Sequence, residues 1–215
     1  MKFITFEGGE GSGKTTQAKL LLQSFKELGK EAIYTREPGG TESAEIIRDL
    51  ITSEKSPKWS PIAELLLINA ARYEHARHVI TPAIEQGKTV LCDRFVDSTM
   101  AYQGFGHKIG RKLPAIIHNF TMHGLSPELT FILDINPTDG LARVKAEHRN
   151  NFEKLSLDFH ERVRRGFQEI AELATERCVL ISASKSVTDI HKIIIETINE
   201  RSNLGLKVAE FSSAI

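Results

Sequence analysis

The sequence predicts an α/β fold, a five-stranded parallel sheet flanked by helices on both faces, and three observations lead there. Short β-branched and aromatic runs alternate with longer helical patterns, the order that lays helices across a parallel sheet. The first such run leads into a glycine-rich turn, and the turn into an amphipathic helix. The chain has 215 residues, enough for one domain with a core of its own.

Strands are expected at residues 3–7, 32–36, 89–93, 129–134 and 178–182. Four of the five end on a charge: Glu7, Arg36, Asp93 and Asp134. Strand C-termini line the binding crevice of an open parallel sheet, so these four should face it. For Glu7 and Asp134 the plainer reading, a charge marking where a strand surfaces, stays open. Residues 16–22 open an amphipathic helix, and Thr41 caps another that carries Glu42 and Glu45 in its first turn. Asn136-Pro137 reads as a cap followed by a first-turn proline. Residues 62–86 read as one long helix that Pro82 bends or splits. Residues 1–201 form the single domain, and 202–215 lose periodicity and read as a flexible tail.

Composition narrows the function classes. Lys plus Arg and Asp plus Glu each total 28, so no overall field draws the chain to nucleic acid or an anionic membrane. No apolar stretch reaches the length of a membrane span, and no signal-peptide pattern opens the chain. Cys92 and Cys178 sit in apolar runs, which argues against a disulfide framework and for the cytoplasm. The eight histidines lack metal-site spacing.

The run Gly8-Gly9-Glu10-Gly11-Ser12-Gly13-Lys14-Thr15 fits G-x-x-x-x-G-K-[ST] and lies between a strand and a helix, where that pattern has physical meaning. Its glycines let successive N–H groups turn toward phosphate oxygens, and the helix opening at Thr16 adds its positive end. Lys14 would reach the β- and γ-phosphates, and the Thr15 hydroxyl would ligate Mg²⁺. Such loops serve GTPases, ATPases and small-molecule kinases alike. The absence of an Asn-Lys-x-Asp element weakens the GTPase reading. Transfer to a phosphorylated acceptor needs further cations aimed at a second phosphate. Arg36 and Arg94 beside strand ends, and Arg72 on the long helix, are the candidates.

Three ordered motifs sharpen this. The segments 6–17, 35–41 (Thr-Arg-Glu-Pro-Gly-Gly-Thr) and 92–104 (Cys-Asp-Arg-Phe-Val-Asp-Ser-Thr-Met-Ala-Tyr-Gln-Gly) resemble the thymidylate kinases of the bacterial type, within the phosphate-loop nucleoside-monophosphate kinases. The resemblance runs from residue 3 to about 198. It implies transfer of the γ-phosphoryl group of ATP to dTMP, with Mg²⁺, a mobile lid at about 143–154 and a homodimer. It also implies that Asp93 and Thr15 organise the Mg²⁺ environment, partly through waters. Arg94 and Arg36 would hold the dTMP phosphate. Arg72 would reach the thymine edge, with Gln103 and Thr99 near the base. Tyr102 would crowd the position of a ribose 2′-OH, and Glu10 would accept a hydrogen bond from the sugar 3′-OH. An acid beside polyphosphate needs such a donor or a nearby cation to offset it.

The chain departs from the family at two places. Ile68 stands where an aromatic residue often stacks on thymine, which forgoes a stacking contribution of roughly 0.5–1.5 kcal/mol. Phe95 and Tyr102 are the rings that could take over. The phosphate loop carries no arginine, so the catalytic cation is expected in the lid. There Asn150-Asn151 replaces a commoner Asp-Arg pair. Arg149 is the first choice for the transferring phosphoryl group, with Lys145 in reserve, and Arg143 would lie against the adenine or the phosphates. Arg162, Arg164 and Arg165 read as a solvated helix face. The competing functions are a kinase for another nucleotide or nucleoside, and a phosphate-loop switch protein with slow hydrolysis and no acceptor.

Overall fold

The computed structural model describes residues 1–144 and 151–210 of the chain. Strand β1 (Phe3–Gly8) takes the centre of a five-stranded sheet, with β3 (Thr89–Asp93) and then β2 (Ala32–Arg36) on one side. On the other side lie β4 (Leu129–Asp134) and then β5 (Cys178–Ser182). Every pairing is parallel. The five strands fall where the sequence places them, because each is a short β-branched or aromatic run between turn residues. Register brings the functional strand ends level: Arg36 pairs with Asp93, and Asp93 with Phe6.

All six residues of β1 are buried, so its alternate side chains feed two cores. Ile4 and Phe6 face α1 (Lys14–Glu27) and α9 (Val187–Ser202), meeting Leu21, Phe25, Ile194 and Ile198. Phe3 faces the other way, with Val90, Cys92, Phe95 and Ile80. A third cluster sets Ile132 and Tyr102 against Phe159, Val163 and Phe167 of α8 (Leu157–Leu173). Cys92 and Cys178 are both buried and unbonded.

The expected 62–86 helix resolves into three parts. Helix α3 (Pro61–His75) is capped by the Ser60 side chain. It passes into a π-helical turn over Ala76–Ile80 and then α4 (Thr81–Glu85). Thr81 N–H bonds to the Ala76 carbonyl, five residues back, just before Pro82. The break from α-helical bonding therefore falls over Ala76–Ile80, just ahead of the proline. A widened turn ahead of it relieves the clash of the ring with the carbonyl one turn back. A second π-helical stretch, Met100–Gly106, follows α5 (Val96–Thr99) and carries Tyr102 and Gln103. Three further helices are α2 (Glu42–Thr52), α6 (Lys112–Met122) and α7 (Pro137–Arg143), with α2 and α7 capped by Thr41 and Asn136 as expected.

Three sequence expectations need correction. Glu7 and Asp134 do not face the crevice: Glu7 is fully buried, and Asp134 takes two bonds of 2.8 Å from Arg164. By the same contact Arg164 is no solvated charge, and Arg162 donates to the Gly106 carbonyl at 2.8 and 3.0 Å over the Phe159 ring. Beyond Ser202 the chain packs rather than frays. Leu206 and Ala209 are buried, Asn199 bonds both to and from Leu206, and Ala209 N–H donates to His191. The apolar spacing of two residues is too short to show as periodicity. Residues 211–215 of the expected tail lie outside the described residues. Among the described residues no helix is long and apolar enough to cross a membrane.

Candidate active site

The turn from β1 into α1 is shaped by glycines at two points. Gly8 sits at φ 135°, where an added Cβ would collide with the Leu133 carbonyl of the neighbouring strand. Gly13, at φ 93°, is the N-cap of α1, so the helix begins at Lys14, two residues ahead of the sequence expectation. Lys14 Nζ donates to the Gly9 carbonyl at 2.7 Å, to Gly8 at 3.1 Å and to Ser12 Oγ at 3.3 Å. Burial, and then the Arg94 charge, push this ammonium down to about 8. Thr15 Oγ1 donates to Asp93 Oδ2 at 2.5 Å, so the loop and the end of β3 meet at these two oxygens.

One cavity of about 670 Å³ joins the loop to the acceptor candidates. From the loop, α1 and α7, Glu10, Gly11, Gly13, Lys14, Thr15, Thr16 and Arg143 line it. Arg36, Ile68, Arg72, Asp93, Arg94, Thr99, Tyr102 and Gln103 are also among its lining residues. Gly8 and Gly9 act through their carbonyls, and Ser12 through its buried hydroxyl. Thus the phosphate loop, β2, α3, β3 and the second π-helical stretch converge on one space, though they are scattered in sequence from Glu10 to Gln103. Arg143 also donates to the Ala183 carbonyl at 3.2 Å. Arg149 and Lys145 lie outside the described residues.

Arg94 is the hub. It holds φ 71°, a region costly for any residue with a Cβ. Its Nη2 donates to Glu10 at 2.8 Å and to the Tyr102 hydroxyl at 3.2 Å, and Tyr102 donates to the same Glu10 oxygen at 2.7 Å. Burial would pull the Glu10 carboxyl up, but the Arg94 and Lys14 charges and the Tyr102 hydroxyl prevail and hold it at about 2. The cation that the loop acid needs is therefore Arg94. The guanidinium also lies 4.9 Å from the Tyr102 ring.

Arg72 is 2% exposed and fully engaged on two sides. Its Nε donates to Glu37 at 2.7 Å, and its Nη2 to Thr99 at 2.8 Å and to the Phe95 carbonyl at 3.0 Å. Nη1 has no hydrogen-bond partner among the described residues. Glu37 is shared with His75 at 3.0 Å, and His75 reaches Thr35 at 2.6 Å. Although burial opposes it, Arg72 and His75 hold the Glu37 carboxyl below its ordinary range. Arg36 is half-exposed and pairs with Glu45 at 3.2 Å. Gln103 donates to Glu64 at 2.8 Å.

Sequence reasoning missed Glu37 and Arg48. Arg48 lines the cavity and donates to the Pro38 carbonyl at 2.7 Å. Its signal was legible: it lies four residues after buried Ala44 and three before buried Ile51, an arginine on the inward face of α2. Phe152 and Glu153 also line the cavity, with the Phe152 ring edge-on to Tyr102 at 5.8 Å.

Comparison with known proteins agrees with this geometry. A profile of the family described as thymidylate kinase matches residues 6–194. A thymidylate kinase of Wolbachia pipientis subsp. Culex pipiens is 45% identical over 203 residues, covering 93% of this chain and 96% of that one. One from Caulobacter vibrioides is 44% identical over 205 residues, covering 95% and 98%. The crystal structure of thymidylate kinase from Ehrlichia chaffeensis superposes with a TM-score of 0.75 at 36% identity, covering 92% of this chain and 98% of that one. A phosphate loop that shares one cavity with five arginines suits transfer between two nucleotides, and the chain belongs to the thymidylate kinase family, phosphorylating dTMP to dTDP at the expense of ATP.

Proposed function

We propose that the two parts of the cavity divide the reaction between donor and acceptor, with Arg94 and Glu10 at the boundary. The observation that carries this is the Arg94–Glu10–Tyr102 cluster, in which a strained arginine from the acceptor motif meets the phosphate loop. The loop amides and Lys14 take the ATP phosphates. On their arrival Lys14 exchanges the Gly8 and Gly9 carbonyls for phosphate oxygens. Arg94 and Arg36, with Arg48 behind them, hold the dTMP phosphate against repulsion by the γ-phosphate. Arg72 offers Nη1 to the thymine edge, with Thr99 and Gln103 beside the base and Ile68 against its face. Glu10 takes the 3′-OH of the sugar, and Tyr102 fills the space of a 2′-OH.

Chemically this is direct in-line transfer, in which placement and charge neutralisation lower the barrier and no covalent phosphoenzyme forms. A dTMP phosphate oxygen attacks the γ-phosphorus, and the β–γ bridging oxygen leaves with ADP. Arg149 of the lid supplies the remaining cation, and Arg143 lies against the adenine or the phosphates. Thr15 and Asp93 present hard oxygen donors side by side, a set that suits Mg²⁺ completed by phosphate oxygens and water. Among the described residues no group of three His, Cys, Asp or Glu could hold a metal without the nucleotide. Bound there, Mg²⁺ would neutralise charge on the β- and γ-phosphates.

The same reading makes the protein a cytoplasmic homodimer. Ile62 and Leu66 on α3, and Ile116 and Phe120 on the adjoining α6, are large apolar side chains left exposed, Phe120 at 78%. Phe120→Glu should halve the mass measured by sedimentation, and an unchanged mass would remove this face from the interface. The acceptor assignment is tested by Arg94→Ala. Its kcat/KM for dTMP should fall at least tenfold while ATP binding changes little. Comparable activity would remove Arg94 from the acceptor site.

A further inference from the structure

Glu7 is the penultimate residue of β1 and is completely buried. Its carboxylate accepts the Phe95 backbone N–H at 2.7 Å and the Ser98 hydroxyl at 2.5 Å. Ser98 Oγ in turn accepts from Arg94 Nη1 at 3.1 Å, and the same Nη1 donates to the Gly8 carbonyl at 3.2 Å. Arg94 itself donates its backbone N–H to Phe6 at 2.9 Å. The left-handed residue is thus tied to β1 by the amide on each side of its Cα. Its guanidinium is tied to the same strand twice, directly at the Gly8 carbonyl and through the Ser98 hydroxyl to Glu7.

The Glu7 carboxyl sets two oxygens at a fixed spacing, so one buried side chain engages the Phe95 amide and the Ser98 hydroxyl together. Two such bonds from one group are useful where a backbone must be kept in an unfavourable conformation. The ionisable groups around Glu7 are Asp97 and Arg94 from the segment after β3, Lys14 of the loop, Cys92 of β3, and Arg177 and Cys178 at the start of β5. Arg177 clamps Asp97 through bonds of 2.6 and 2.9 Å, which turns part of that cation away from Glu7. Burial, and then the Asp97 charge, push the Glu7 carboxyl up to about 8.

We propose that Glu7 is a positioning residue for Arg94, fixing its left-handed backbone through Phe95 N–H and its guanidinium through Ser98. This rests on Arg94 as a ligand of the dTMP phosphate. Glu7 touches neither nucleotide. It makes the acceptor arginine a fixed part of the strand that also launches the phosphate loop. Donor and acceptor phosphates then meet in a distance set by one rigid element, not by a flexible side chain.

The test is initial-rate kinetics on Ser98→Ala and Glu7→Gln, each alone and combined with Arg94→Ala. Ser98→Ala should raise KM for dTMP by about fivefold or more, as expected for losing a hydrogen bond to the charged Arg94 guanidinium, and Glu7→Gln should raise it in the same direction, with KM for ATP within about twofold in both. In the Arg94→Ala background both should be silent, which a merely structural role would not produce. If Arg94→Ala itself leaves dTMP kinetics intact, the acceptor assignment and this proposal fall together. If Arg94→Ala is impaired but Ser98→Ala keeps its KM for dTMP, or costs as much without Arg94, Glu7 alone loses its role. Should Glu7→Gln not fold, Ser98→Ala carries the test, because it removes one oxygen and leaves the Phe95 bond in place.

Discussion

The two parts of the cavity that we propose for donor and acceptor are built in different ways. The proposed phosphate-binding part is eight consecutive residues, 8–15, framed locally by Lys14 reaching back five and six positions to Gly9 and Gly8, and joined to distant elements at Glu10 and Thr15. The acceptor part takes Arg36 from β2, Arg48 from α2, Arg72 from α3 and Arg94 from the turn after β3. Each of these arginines is held by a partner distant in sequence or on another element. Arg72 meets Glu37 across 35 positions, and Arg94 meets Glu10 across 84. The first part thus has a local frame that a few long-range bonds complete. The second exists only when the sheet is assembled.

That contrast can be broken most sharply at Lys14. Lys14→Ala should lower kcat on the order of 10²–10³-fold whatever the acceptor concentration, since it removes charge from the transferring group. Arg94→Ala should instead be partly rescued by saturating dTMP. Equal behaviour of the two variants would erase the division. The lid comes next: in single-turnover assays Arg149→Ala should slow the chemical step, and Arg143→Ala should mainly weaken ATP binding. If only Arg143→Ala slows chemistry, the roles are exchanged.

Smaller effects sharpen the acceptor side. Ile68 is 8% exposed and lies in the cavity wall, while the Phe95 and Tyr102 rings already face the Arg72 and Arg94 guanidiniums. Ile68→Phe should therefore lower KM for dTMP by roughly two- to tenfold, the worth of one stacked ring. A raised KM would mean that the pocket has no room for it. Stability should follow pH with two limbs. Burial raises Glu7 to about 8, so its contribution is complete below the carboxyl's ordinary value of 4.5 and is lost as pH climbs through 8. Burial lowers His118 and His191 to about 4, so theirs is present above 6.5 and is lost as pH falls through 4. Denaturant titrations from pH 4 to 9 should show Glu7→Gln flattening the alkaline limb only.

Much of this was legible before any coordinates. The strands stand where the β-branched runs are, Thr41 and Asn136 cap their helices, and the acceptor residues expected from the motifs all line one cavity. What failed to show depended on long-range packing. Pro82 marks a helix break by local rules, yet the π-helical turn ahead of it absorbs the conflict. Leu206 and Ala209 carry no periodicity but find a groove beside α9. Arg162 and Arg164 look like surface charges until Gly106 and Asp134 arrive beside them.

By itself the sequence determined the phosphate loop and the parallel sheet and named many of the residues that come to line the cavity, because backbone propensity and short motifs act over a few residues. Tertiary structure decided which charges neutralise each other. It gave Glu10 to Arg94 rather than leaving it to water, Glu37 to Arg72 and His75, and Asp134 to Arg164. It also turned Glu7 from a strand-end charge into a buried anchor. The physical reason is that Coulomb and desolvation energies depend on distance and burial in space, and spacing along the chain fixes neither.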